Sequence, residues 1–308
     1  MATAKSKKPA GARNLRVERG ANLAARIGTK RKGALIRSLL IDPESYSVAQ
    51  ALGEASHPLV EMGIGNGGSG GEIRLKLWLT LMAQFDSTNP WVDLDRFSAP
   101  LLAGVFGLDE DREKGAEAVR RAYRWLISEN FVVLDGTRLK PSGRVRVTTE
   151  AALFLPDTYR EVVRVVPAGK AEEPPYPEFP RYKDSYFRVP IALWSQGWMG
   201  YLRSSELMVL MILCKLNENK GDKEIEVRAK TRLQRFGLSD VMWRQGAIGL
   251  ERRGILRSWD PARTDIDQIT AEKINYRMVF RFNGATVEDA LSRPITHDLH
   301  MKIRKDLT

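Results

Sequence analysis

Ile73, Leu77, Leu81 and Phe85 recur at helical spacing, which predicts a helix over 72–85. Pro90-Trp-Val-Asp-Leu94 then suggests a short strand. A shorter helix is expected over 95–105, with Asp95 as its N-cap and Pro100 within its first turns, and Phe106-Gly107-Leu108 makes a tight turn. A third helix is predicted over 111–129, where the leading acids suit the positive end of the helix dipole and Asn130 can take the left-handed cap. A strand at 131–134, a hairpin turn at Asp135-Gly136 and strands resuming at Thr137 and Arg144 complete this block.

The same order returns further along. A helix is expected over 205–216, a strand over 224–227, a helix over 228–235, and Phe236-Gly237-Leu238 repeats the three-residue turn. Ser239 is the expected N-cap of a helix ending at Arg253, closed by Gly254 and followed by strands over 255–259 and 275–282 around a long loop. The ends of the two third helices align without gaps: Leu126-Ile-Ser-Glu-Asn-Phe131 sets against Leu250-Glu-Arg-Arg-Gly-Ile255. In that register Trp243, Ala247 and Leu250 face inward, as do Val119, Tyr123 and Leu126.

Three stretches of low order separate these blocks. Residues 1–33 are basic and rich in Ala and Gly, 63–71 hold six glycines in nine positions, and 167–190 hold six of the fifteen prolines. The expected layout is therefore a basic disordered arm (1–37), a connecting segment with a Gly-rich linker (38–71), a first domain (72–166), a Pro-rich connector (167–185), a second domain (186–291) and a C-terminal tail (292–308).

Helix, short strand, helix, turn, helix, hairpin resembles the winged helix-turn-helix, and Ala247-Ile-Gly-Leu-Glu-Arg-Arg-Gly-Ile-Leu256 resembles the end of its recognition helix. The resemblance implies a mainly α fold with small β-hairpin wings (α+β), two winged-helix domains in tandem, third helices in a major groove and hairpins against phosphates. Carried onto this chain, it places Arg120, Arg121, Arg124, Met242, Arg244 and Gln245 against bases. Backbone contacts then fall to Arg138, Lys140, Arg144, Arg146, Lys230, Arg232, Arg257, Lys273 and Arg277.

Charge sharpens this placement. The chain carries 49 Lys and Arg against 38 Asp and Glu, a net +11, but residues 1–37 alone hold eleven basic residues and one acid. That arm, with Lys5, Lys7, Lys8, Arg13, Lys30, Arg31 and Lys32, would bind any polyanion without reading sequence. Elsewhere the excess is local: nine basic and four acidic residues over 112–146, eight and two over 228–257. Positive charge gathers on the proposed binding elements.

Other chemistry is lacking. The single cysteine, Cys214, sits in an eight-residue apolar run and excludes a disulfide framework; that run is too short to span a membrane. Gly65-Asn-Gly-Gly-Ser-Gly-Gly71 lacks the Gly-Lys-Ser/Thr ending of a phosphate loop. His297 and His300 have no third ligand cluster, and Asp93 and Asp95 suit a strand-to-helix junction without metal. No enzyme activity, cofactor or metal is expected.

Chains of this size and layout resemble the iteron-binding replication initiators of plasmids and phages; Phe187-Arg-Val-Pro-Ile191, followed by Trp194, Trp198 and Ser204-Ser-Glu-Leu, is similar to their winged-helix entry. This resemblance implies origin binding by a cytoplasmic, nucleoid- or plasmid-associated monomer or homodimer, with double-stranded DNA and host replication proteins as partners. A transcriptional repressor with the same tandem domains, and an interaction scaffold whose arm alone touches nucleic acid, remain alternatives.

Overall fold

Two apolar helices organise the chain. The computed structural model describes residues 23, 33–37, 41, 58–63, 70–84, 91–94, 97–108, 112–129, 131–134, 144–147, 186–217, 224–259, 277–284 and 286–292. Its elements begin with β1 (Gly33–Arg37) and α1 (Pro58–Gly63). A first run follows: α2 (Gly70–Gln84), β2 (Trp91–Asp93), α3 (Ala99–Val105), α4 (Arg112–Ser128), β3 (Val132–Leu134) and β4 (Arg144–Val147). After β5 (Tyr186–Pro190), α5 (Ala192–Ser195) and a 3-10 turn at Trp198–Gly200 comes a second run. It comprises α6 (Ser204–Leu216), β6 (Ile225–Arg228), α7 (Ala229–Phe236), α8 (Asp240–Arg252), β7 (Leu256–Trp259) and β8 (Arg277–Phe282), with α9 (Val287–Ser292) after it.

The described residues are mainly helical with small antiparallel sheets, an α+β arrangement. The two runs share one topology: the strand between the first two helices pairs with the last strand, giving sheet orders β2-β4-β3 and β6-β8-β7. Both Phe-Gly-Leu turns bury their phenylalanine and place the glycine in the left-handed region, Gly107 at φ +80° and Gly237 at φ +67°. The predicted elements that fall on described residues lie within a few residues of these bounds; α3 begins at Ala99, with Ser98 instead of Asp95 at the cap position, and the Asn130 cap, the Asp135-Gly136 turn and the strand at Thr137 lie outside the described residues.

Leu207 to Cys214 of α6 are buried on every side, as are Leu75 and Leu77 to Ala83 of α2. A helix apolar all round must lie at the centre of a fold, and these two do. Helix α2 packs on α4, β1 and α6; α6 packs on α8, β5, α1 and α2. The result is one contiguous core shared by both runs.

The arm also departs from expectation. Its last residues are strand β1, antiparallel to β5, with Ala34 opposite Val189 and Ile36 opposite Phe187. Ile36, Phe187 and Val189 are buried, so Ile36 near the end of a basic stretch is what draws the chain in. Leu23 is buried too, so the expected disorder of residues 1–37 does not hold at these positions. The 63–71 stretch is bounded by helices: Gly63 ends α1, and its carbonyl accepts from Ser204 Oγ at 2.7 Å.

Polar groups stitch the shared core. Trp194 Nε1 donates to Thr80 Oγ1 at 3.1 Å, and Thr80 Oγ1 to the Lys76 carbonyl at 2.8 Å. Glu206 accepts from the Arg203 backbone N–H (2.6 Å), capping α6, and from Arg253 Nε (3.0 Å) just beyond α8. Lys76, itself buried, pairs with Glu72 at 2.6 Å; burial holds its ammonium below the usual lysine range, and the Glu72 carboxylate opposes that shift. Glycines 246 and 249 let α8 come this close to α6, since a Cβ on either would run into the Ser205 carbonyl or the Glu206 carboxylate.

Removing one partner of a buried ion pair leaves the other charge uncompensated. Arg253→Ala is therefore expected to cost about 3–5 kcal/mol, whereas Arg252→Ala, at the exposed neighbouring position, should stay within about 0.5 kcal/mol. Urea denaturation of both variants checks this; equal midpoints would remove the Glu206–Arg253 pair from the list of stabilising contacts.

Candidate nucleic-acid interface

The geometry of α8 starts at its cap. Ser239 Oγ accepts the Met242 N–H at 3.3 Å, and the helix stops where Ile255 N–H reaches back to the Leu250 carbonyl (3.0 Å) and Gly254 turns to φ +70°. Trp243, Ala247 and Leu250 are buried as the spacing predicts, Trp243 edge-on to Phe280 with ring centroids 5.6 Å apart. The opposite face carries Val241, Arg244, Gln245, Ile248 and Arg252, all exposed.

Behind that face lies a chain of charges. Arg232 Nη1 donates to Asp240 Oδ1 at 2.8 Å, and Asp240 Oδ2 pairs with Arg244 Nη2, also at 2.8 Å. Arg232 is 1% exposed, its guanidinium 5.5 Å from the Trp243 ring centre and bonded to the Val227 carbonyl at 3.2 Å. The expectation that Arg232 touches a phosphate is thus corrected: on the inner face of α7 it is enclosed by Trp243 and β6, and it positions Asp240. Met242 is partly buried, packed against the core at the edge of the exposed face.

On α4, Val119, Tyr123 and Leu126 are buried and Arg120, Arg121 and Arg124 exposed, as expected. Glu117, missed in the sequence, gathers two of these: its carboxylate meets Arg120 at 3.1 Å and Arg124 at 2.5 Å. Hydrogen bonds from Arg120 and then Arg124 hold its carboxyl below the ordinary glutamate range. Behind this face Arg74 lies 4.2 Å from the Trp125 ring centre, and Trp125 stacks on Phe131 at 5.6 Å.

The sheets add register. Arg257 stands opposite Arg281 and Arg228 opposite Arg277, two like-charged cross-strand pairs. Arg228, Arg257 and Arg281 are exposed, and Arg228 meets Glu226 at 3.5 Å. Arg228 and Arg281 were not singled out by sequence; only the pairing register reveals them. In the first sheet Arg144 is opposite Asp93, and Arg146 opposite Trp91 and Val133. Lys230 lies in α7. Arg138, Lys140, Lys273 and the arm residues Lys5, Lys7, Lys8, Arg13, Lys30, Arg31 and Lys32 lie outside the described residues.

No family model matches this chain, nor does any curated protein or solved structure. Among the described residues no cluster of His, Cys, Asp and Glu could hold a metal, and no helix is long and apolar enough to cross a membrane. Cys214 is buried, and burial pushes its thiol up to about 12, which makes it a poor nucleophile.

Because the Glu117 carboxyl is depressed in the folded chain, its ion pairs contribute stability above the ordinary glutamate range, and that contribution is lost as pH falls through the lowered value. An NMR titration of the Glu117 carboxyl should show a midpoint below that of a free glutamate, moving upward in Arg120→Ala. A midpoint indifferent to both arginines would break the link.

Proposed function

We propose that the chain is a sequence-specific duplex-DNA-binding protein built from two tandem winged helix-turn-helix units, and that it marks a replication origin on a plasmid or similar element. The observation that carries this reading is the exposed face of α8, where Arg244 and Gln245 stand side by side above a packed Trp243-Ala247-Leu250 seam, with Arg120 and Arg121 at the matching positions of α4. Arginine and glutamine offer the paired donors and acceptors that suit guanine and adenine edges. Arginines of the two sheets and the basic arm supply phosphate contacts and release counterions.

Binding on this reading is prepared before contact. Arg232 fixes Asp240 and Asp240 holds Arg244 over the helix surface. A guanidinium held in this way loses less side-chain freedom on docking. The two third helices belong to one core, so the chain acts as an internal pair able to address two major-groove segments together. The protein works by binding, with no cofactor and no bond made or broken; at an origin its partners would be host replication proteins in the cytoplasm, at the nucleoid or plasmid.

Selection from random duplexes tests the reading, using full-length protein and a form lacking residues 1–32, which keeps β1 intact. Two separated base motifs retained without the arm support it. Direct repeats favour the initiator and a palindrome favours a repressor, whereas loss of all binding with the arm and no enriched motif would leave an interaction scaffold. Arg244→Ala with Gln245→Ala should relax preference at one motif by about 1–3 kcal/mol per good pair lost. Arg144→Ala with Arg146→Ala should weaken binding to every sequence and lower the salt slope by about one per lost phosphate contact; an unchanged slope would take β4 out of the interface.

A further inference from the structure

The two outward faces are not equivalent. In the register that sets Leu126 against Leu250, Glu117 falls at the place of Val241 and Arg124 at the place of Ile248. The first pair is an ion pair at 2.5 Å. The second is two aliphatic side chains left in water, Val241 65% and Ile248 46% exposed. They lie seven residues apart, two helical turns, with Arg244 and Gln245 between them on the same stripe. Leaving such side chains in water forgoes the gain that burial would bring, so a partner covering this stripe would gain affinity from both.

Polar neighbours define that partner. An apolar protein surface laid over the stripe would have to desolvate Arg244 and Gln245 without providing acceptors in their plane, at a cost of several kcal/mol for the charge. A major groove supplies purine acceptors for both polar side chains and, at thymine, a 5-methyl group protruding into the same groove. Resting on the DNA-binding reading, we propose that Val241 and Ile248 are specificity-determining residues that pack on thymine methyl groups flanking the bases met by Arg244 and Gln245. Methyl recognition is then confined to the second unit. The first, with Glu117 and Arg124 at the matching places and no exposed aliphatic on its stripe, lacks this contact.

The test takes full-length protein to its selected duplex and replaces each thymine of the motif in turn by deoxyuridine, which lacks only the methyl group. Burial of one methyl is worth about fourfold in affinity, so wild-type protein should lose about fourfold at one or two thymines beside the Arg244–Gln245 positions. Val241→Ala and Ile248→Ala should each abolish the loss at one of these. Both side chains are on the surface, and an unchanged thermal midpoint verifies that each variant folds. Indifference of the wild-type protein to every methyl, or methyl sensitivity that survives both substitutions, overturns the proposal while leaving DNA binding in place. A change in self-association with no change in methyl sensitivity assigns the stripe to a second copy of the chain and also overturns it. Failure to enrich any motif removes the DNA reading itself, and this proposal with it.

Discussion

Everything else in this molecule hangs on the burial of α2 and α6. Each is enclosed around almost its whole circumference, so the elements on all sides of it must join one core. They meet directly over a short contact, and α1, which packs on both, joins them together with the β1–β5 ribbon and the Trp194–Thr80 bond. The third helices are then set by contact with these two: α4 on α2, and α8 on α6 through Gly246 and Gly249. What a ligand meets on the outside is decided by burial at the centre.

The same hierarchy governs the charges. Arg253 and Glu206 are enclosed and hold α8 to α6; Arg232 is enclosed too and reaches out to Asp240 at the surface; Arg244 is the outermost member. Residues that looked alike as basic positions in a helical region thus differ in role: Arg253 and Arg232 are buried braces and Arg244 a surface side chain. Depth separates the first two from the third, because a guanidinium can serve as a buried fork with several bonds as readily as a surface donor.

Sequence periodicity was informative where a pattern is local. The inward triplets, the Ser239 cap and the Phe-Gly-Leu turns follow from spacing and turn chemistry within one helix or its junction, and they lie where the spacing put them. The arrangement of β1 with β5 was not legible, since Ala34-Leu35-Ile36 is too short to show alternation and its partner lies some 150 residues away. Continuity of the core was hidden for a related reason: a helix apolar on all faces has no amphipathic direction, so it points to no particular neighbour. Within the site, Arg120, Arg121, Arg244 and Gln245 were legible from helix phase. Glu117, Val241 and Ile248 were overlooked because attention to positive charge passes over an acid and two aliphatics, although their spacing on the outward stripe was there to be read.

The antiparallel pairing of β1 with β5 also makes the two units respond as one. Strand β1 packs on α2 and β5 on α6, so backbone hydrogen bonds join the two runs in addition to their common core. A single substitution at Ile36 or Phe187 would therefore be felt in both units at once.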